Sequence, residues 1–304
     1  MTRVLLTGST GFVGSFVAKQ LVAAGVPTAV LLRPGTDPWR VADLLPKLTP
    51  VAGTLADLTA VEPAVRAFAP DTVLHLAWSG VGNAARNDAA QFDNLAQTVG
   101  LLHLTRRIGV ATFVGLGSQA EYGPHAGRLD EQTPSRPTTV YGVAKLSAGL
   151  FAQRLCGEWG VRCGWLRLFS SYGPTDHPGW MIPDLVRKLL AGERPPLTEG
   201  RQMWDYIHVA DAAAAVVRVA ENPAANGVFN LGSGRPVPLR RVVETVRDAI
   251  DPALPLGFGE VSYRPDQVMH LEADVTRLRT VGWAPRVPLA AGLADTIDWY
   301  RTHP

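Results

Sequence analysis

Apolar residues in this chain fall into short unbroken runs, and between the runs they recur every three or four positions. The runs at 3–7, 28–32, 48–52, 72–76, 112–116 and 162–168 read as strands. A strand that is apolar at nearly every position is buried on both faces, as in a parallel sheet covered by helices on two sides. The stretches at 12–24, 41–47, 59–68, 84–108 and 138–159 carry the helical period. The first is closed by Gly25 and Pro27, in the order expected of a helix end. Thr59 stands where an N-cap belongs. This alternation predicts an α/β fold, a Rossmann-type doubly wound parallel sheet.

Past residue 168 the alternation lapses. Residues 170–180 are a Gly/Pro-rich loop, 182–191 are helical, and 195–204 read as a loop with a short strand. An alanine-rich helix follows at 209–221, then a strand at 228–231 and helices at 239–250 and 289–301. No repeat, low-complexity tract or exposed linker separates the halves. Residues 1–168 are therefore expected to form a cofactor-binding domain. Residues 169–304 are expected to form mainly a smaller, interleaved substrate-binding lobe, with about 205–232 returning to the first domain. A length of 304 residues suits this division.

Composition narrows the partners. A hydrophobic share of 46% is ample for a packed core. A formal charge of +2 with 18% charged residues is no nucleic-acid footprint, although mild basicity suits an anionic small ligand. Cys156 and Cys163 read as buried thiols in a reducing compartment. The N-terminus enters a strand at once, without a basic region or a small-residue cleavage site. No apolar run reaches the length of a membrane span. A cytoplasmic protein is expected, without nucleic-acid or membrane partners, and no metal site is assigned.

The turn Thr7-Gly8-Ser9-Thr10-Gly11-Phe12-Val13-Gly14 follows a strand and opens a helix, which is the context of a dinucleotide fingerprint. Glycine lets the backbone approach a pyrophosphate, and the helix N-terminus favours that anion. The spacing is G-x-x-G-x-x-G rather than the commoner G-x-G-x-x-G. Gly8, Thr10, Gly11, Phe12, Val13 and Gly14 are the cofactor candidates here, with a purely structural turn as the alternative. The second strand ends in Arg33, where an acidic residue would bind ribose hydroxyls. An arginine there matches a 2′-phosphate, which favours NADP(H) and leaves NAD(H) possible. A solvated strand-end arginine is the plainer reading. Asp57 and Leu58 either approach the adenine or cap a helix. Leu76, Ala77 and Trp78, ending the fourth strand, would line the cofactor, as would Leu168 at the end of the sixth. His75 reads as structural.

Tyr141 and Lys145 are spaced as Tyr-Gly-Val-Ala-Lys on a predicted helix, so they share one face. A free phenol titrates near about 10, and a neighbouring cation pulls that value down. Such a phenol can protonate a carbonyl oxygen or deprotonate an alcohol. Ser118 follows the fifth strand, at the carboxyl edge where such sheets bind ligands. A hydroxyl and a phenol converging on one oxygen would stabilise its developing charge. The alternatives are a surface tyrosine, a solvated lysine and a turn serine.

Together these residues resemble the extended short-chain dehydrogenase/reductases, NAD(P)-dependent nucleotide-sugar epimerases, dehydratases and reductases. The resemblance runs along nearly the whole chain: Thr7 to Gly14, His75-Leu76-Ala77, Gly117-Ser118 to Tyr122-Gly123, Tyr141 to Lys145, and Leu166-Arg167 to Tyr172-Gly173-Pro174. It continues through Asp205 to Val209, Phe229 to Gly234, and Gly282-Trp283-Ala284-Pro285. It implies that Ser118 hydrogen-bonds the reacting oxygen, that Tyr141 is the general acid/base, and that Lys145 binds the nicotinamide ribose and lowers the phenol pKa. Family 4,6-dehydratases carry an Asp-Glu pair directly after the catalytic hydroxyl, where this chain has Gln119 and Ala120. Glu121 comes one place too late and is expected to point elsewhere. Reductases that also epimerise carry a cysteine where Ala120 stands. What remains is redox at one carbon, either 4-ketoreduction or 4-epimerisation, and Arg33 tips the balance toward the NADPH-consuming reductase.

The implied substrate is a nucleoside-diphosphate sugar. Ser118, Gln119 and Ser170 are candidate contacts, with Arg201 and Arg264 near the diphosphate. Trp204 stands where the family often has arginine. Trp180, Met181 and Trp204 form an apolar wall or are plain core. Asp205 and His208 read as second-lobe structure. The leading expectation is an NADPH-dependent 4-ketoreductase of a nucleoside-diphosphate 4-keto-6-deoxyhexose. An NAD-dependent 4-epimerase and a non-catalytic NADP(H)-binding protein are the alternatives. Helices 84–108 and 138–159 carry surplus apolar residues, including Leu95, Val99, Leu102, Leu146, Leu150 and Leu155. They are expected to pair with their copies in a homodimer, unless the second lobe covers them.

Overall fold

In the computed structural model, which describes residues 1–125, 127–264 and 267–303, the apolar runs assemble into a seven-stranded parallel sheet. Its spatial order is Gly227–Leu231, Arg162–Leu168, Thr112–Ser118, Thr72–His75, Val4–Thr7, Thr28–Leu32 and Thr49–Ala52. The chain winds outward in one direction, returns, and winds in the other. The switch lies between Val4–Thr7 and Thr72–His75, the place where such sheets open a ligand crevice.

The period of two divides the side chains between the faces. Val4, Leu6, Val30, Leu74, Val114 and Leu166 pack one core with helices Phe12–Ala23 and Val209–Glu221. Leu5, Ala29, Val73, Phe113 and Trp165 pack the other with Leu58–Phe68, Gln91–Arg107 and Val140–Trp159. Trp165 lies across the strand Thr112–Ser118. A Cβ at Gly115 would strike its ring, and one at Gly149 on the opposing helix would meet its Nε1 at 2.7 Å. Glycine at these two positions lets the Tyr141 helix approach the strand that ends in Ser118.

The smaller lobe is built from pieces of both halves of the chain. One four-stranded sheet runs in the order Val237–Pro238, Met203–Trp204, His270–Ala273, Arg128–Leu129, and Ser170–Tyr172 pairs with Tyr206–His208. Helices Met181–Leu190, Leu239–Ile250 and Leu289–Thr302 surround a third core of Tyr172, Ile182, Val186, Val243, Leu293 and Ile297. Asp205 pins this lobe to the main sheet. Its carboxylate accepts from Ser233 N at 2.6 Å, Gly234 N at 2.9 Å and Ala273 N at 3.0 Å. His208 caps the helix Val209–Glu221.

Local chemistry moved several expected boundaries. The stretch 84–108 is not one helix: a 3₁₀ turn covers Asn83–Ala85 and the α-helix spans Gln91–Arg107. Asp88 accepts from Ala90 N at 2.8 Å, a local turn that competes with helix. Gln91 Nε2 ties the loop down by donating to the carbonyls of Gly80 and Ala85. The 41–47 stretch is a 3₁₀ helix over Trp39–Lys47, with Pro46 removing a donor. Asp57, not Thr59, caps the helix Leu58–Phe68. No helix among the described residues is long and apolar enough to cross a membrane.

Candidate active site

The glycine turn closes against the neighbouring strand end. Gly8 has φ +79°, and a Cβ there would meet Leu76 C at 2.7 Å and overlap Ala77 N. A Cβ at Gly14 would collide with the Gly8 carbonyl. Gly11 N donates to that same carbonyl at 3.0 Å, and Gly11 caps the helix Phe12–Ala23 without a side-chain acceptor. The first helical amides therefore point toward the crevice, ready for an anion. Ser9 Oγ, fully buried in the turn, finds no partner among the described residues. A tight backbone, unsatisfied helix amides and an orphaned hydroxyl fit a dinucleotide pyrophosphate. Phe12 and Val13 begin the helix, Val13 buried and Phe12 packed against the same core.

Other expected cofactor residues surround this turn. Arg33 lies just beyond Thr28–Leu32, and its Nε donates to Thr36 Oγ1 at 3.2 Å. Asp57 Oδ1 accepts from Ala60 N at 3.1 Å, so this carboxylate serves as the helix cap. Sequence reasoning missed Arg40. Its Nη1 donates to the Thr10 carbonyl at 3.2 Å and its Nε to the Thr175 carbonyl at 3.0 Å, tying the glycine turn to the smaller lobe.

His75 is held between two threonines, 2.8 Å from Thr7 Oγ1 and 2.9 Å from Thr98 Oγ1. Burial, assisted by the Lys145 charge, pushes it down to about 3. It is a neutral structural link.

Thr139 caps the helix Val140–Trp159, accepting from Gly142 N at 3.1 Å, and Tyr141 sits in its first turn. Lys145, one turn on, is buried with only 4% of its surface exposed. Its Nζ donates to Leu116 O at 2.6 Å and lies 3.8 Å from the centroid of the Trp78 ring. Burial pushes it down to about 7, against the opposing pull of Glu121. Tyr141 is buried as well, which raises its phenol; a side-chain hydrogen bond with Ser118 and the charge of Arg86 pull it back. Arg86 Cζ lies 5.5 Å from the Tyr141 ring centroid. Arg86 reaches the phenol from the preceding loop, while the ammonium of Lys145 is engaged by Leu116 O and Trp78.

Ser118 is the last residue of its strand, in register with Leu168. Its Oγ accepts from Ala120 N at 3.2 Å, and its own N–H donates to Glu121 Oε1 at 2.9 Å. Glu121 turns away from the crevice into the core. There it also accepts from Trp165 Nε1 at 3.0 Å and Arg167 Nε at 2.8 Å. Ser118, Tyr141 and Lys145 thus meet at the carboxyl edge of the sheet, beside the glycine turn.

The profile of the NAD dependent epimerase/dehydratase family matches residues 4–232. This chain belongs to that family. The dTDP-glucose 4,6-dehydratase of Streptomyces griseus is 31% identical, over 99% of this chain and 95% of its own length. The GDP-6-deoxy-D-mannose reductase of Pseudomonas aeruginosa is 27% identical, over 98% and 97%. Among solved structures, the UDP-glucose 4-epimerase of Thermus thermophilus in complex with NAD superposes with a TM-score of 0.87 at 26% identity, covering 99% of each chain.

In this family member the expected substrate residues are split between the main sheet's edge, at Ser118 and Gln119, and the smaller lobe. Gln119 is half-buried in the turn after Ser118. Ser170 pairs with Tyr206. Trp180 caps the helix that Met181 opens. Trp204 Nε1 donates to Val268 O at 2.8 Å, and its ring is tilted over Tyr206. Arg201 is exposed and paired with Glu199 at 3.0 Å; its N–H donates to Tyr263 Oη at 2.9 Å, next to Arg264. Both arginines therefore flank one loop. Cys156 and Cys163 are buried free thiols in the core that the Tyr141 helix covers.

Proposed function

We propose that this protein is a cytoplasmic, homodimeric, NADPH-dependent 4-ketoreductase of a nucleoside-diphosphate 4-keto-6-deoxyhexose. The observation that carries the reading is the meeting of Ser118, Tyr141 and Lys145 at the sheet edge with no acid at the two positions that follow Ser118. Gln119 and Ala120 occupy the positions of the dehydratase acids, and Glu121 is committed to Arg167 in the core. Elimination of water lacks its acid; proton transfer to a carbonyl oxygen does not.

A bound nicotinamide dinucleotide supplies the hydride. The chain supplies the rest. The turn from Gly8 to Gly14 receives the pyrophosphate, with Leu76, Ala77, Trp78 and Leu168 along the crevice. Lys145 holds the nicotinamide ribose. Tyr141 gives its phenolic proton to the C4 oxygen, and Ser118 steadies that oxygen through its hydroxyl. Arg86 stabilises the phenolate that results, and burial excludes competing water. General acid catalysis of this kind contributes about 10²–10⁴ in rate. Arg33 supports the 2′-phosphate, and hence a consumed cofactor rather than a retained one. The reductase from Pseudomonas aeruginosa, named for a 6-deoxyhexose, supports the same chemistry.

A second reading has its own support. The Thermus thermophilus structure is a 4-epimerase with NAD, and its fold is shared over the full chain. Incubation with NADPH and dTDP-4-keto-6-deoxyglucose separates the two. The ketoreductase oxidises NADPH in step with formation of a 6-deoxyhexose. Interconversion of UDP-glucose and UDP-galactose without net oxidation would establish the epimerase instead.

A further inference from the structure

The geometry points to Glu121 as a positioning residue of the active site, one that fixes the Ser118 turn and supplies the counter-charge that keeps the Lys145 ammonium in place. Glu121 is fully buried, and its two carboxylate oxygens accept from three donors on two strands. One donor is the backbone N–H of Ser118, and with Ser118 Oγ reaching back to the turn this forms a capping box. The Lys145 ammonium is held by Leu116 O, two residues earlier on the same strand. At the strand rise, the two anchor points lie roughly 7 Å apart. Gly117 stands between them, and a Cβ there would strike both Glu121 Oε1 and Trp165 Nε1. The strand is thus shaped around the carboxylate at the point where it passes the ammonium.

The groups facing this centre come from each packed element. Lys145 faces Glu121 and, from the fourth strand, neutral His75. Tyr141 faces Ser118, Arg86 and Glu121. Glu121 faces Arg167, which lies over the Tyr122 ring at 4.4 Å and reaches Ser135 Oγ at 3.3 Å. Burial favours a neutral Lys145 and Glu121 opposes it. The charged form of Lys145 is therefore lost as pH rises through about 7, and it would be lost earlier without Glu121.

This inference rests on the reading of Lys145 as a nicotinamide-ribose contact, so its test measures NADPH binding by fluorescence from pH 5.5 to 9 and needs no sugar substrate. Affinity in the unmodified protein should fall on the alkaline side, and Lys145→Met should abolish that pH dependence. Glu121→Gln should move the fall to lower pH by about one unit. Glu121→Asp keeps the charge but shortens the reach, so the fall should stay within a few tenths of a unit of its original place. If Glu121→Gln does not fold, the apolar pair Glu121→Leu with Arg167→Met removes the buried charges together, and its fall should shift in the same direction. A fall left in place in whichever charge-removing variant folds, or shifted equally by Glu121→Asp, overturns the inference alone. An unmodified protein that binds no nicotinamide dinucleotide overturns the inference and the functional reading together.

Discussion

Tyr141 keeps its proton because it is buried, and can release it because Ser118 and Arg86 stand beside it. Replacing the phenol by phenyl keeps the ring against Trp78 and removes the donor. Tyr141→Phe should therefore lower turnover by about 10²–10⁴ while NADPH affinity changes little. Steady-state rates beside a binding titration check this; near-normal turnover would place the acid elsewhere. On the proposed reading, Arg33 sets cofactor choice at the same scale. A charge-assisted bond to a 2′-phosphate adds about 1.5–3 kcal/mol, so NADPH should bind about ten- to a hundredfold more tightly than NADH. Arg33→Asp should erase or reverse that ratio, and equal affinities in the unmodified protein would remove the argument for a consumed cofactor. The glycine turn and the Tyr141/Lys145 pair were legible because each is a local spacing. Arg86 was not, since it meets the phenol from another segment. The i, i+3 relation of Ser118 and Glu121 is also local and carried the capping signal, but the Arg167 partner lies 46 residues on.

Helices Gln91–Arg107 and Val140–Trp159 cover the sheet on one side and carry apolar surface on the other. Leu101, Leu102, Ala148 and Ala152 cover the sheet, whereas Phe92, Val143, Leu150 and Phe151 are exposed, Phe92 by 61% and Leu150 by 57%. Leu102, expected among the surplus apolar positions, belongs to the inner face; Leu150 belongs to the outer one. A patch of this kind favours a two-fold pairing of like helices. Leu150→Glu with Phe151→Lys should convert a dimer into a monomer of intact fold, read by light scattering at micromolar concentration. A monomeric unmodified protein would refute the dimer, and a dimer that survives both charges would refute this surface. The helices were legible from their period. The break between Ala85 and Gln91 was not, because side-chain bonds from Asp88 and Gln91 outweigh a weak helical pattern. Short strands such as Arg128–Leu129 and Ser170–Tyr172 were hidden too, since two or three residues carry no period and owe their extension to distant partners.

The whole molecule places the Tyr141 phenol, the Ser118 hydroxyl and a tight glycine turn at the carboxyl edge of one sheet. The parallel sheet was legible because continuous apolar strands alternate with helices. The smaller lobe was less so, because it gathers residues 128–129, 203–204, 237–238 and 270–273 into one sheet through contacts between remote parts of the chain. On the proposed reading, hydride and proton are delivered across one sugar carbonyl at that edge. The most direct measurement supplies NADPH deuterated on the transferring face of the nicotinamide, together with a nucleoside-diphosphate 4-keto-6-deoxyhexose, and follows the product by NMR. The product should carry one deuterium at C4 of the sugar for each NADPH oxidised. A product without deuterium at C4, or an inverted C4 with the cofactor unconsumed, would contradict it.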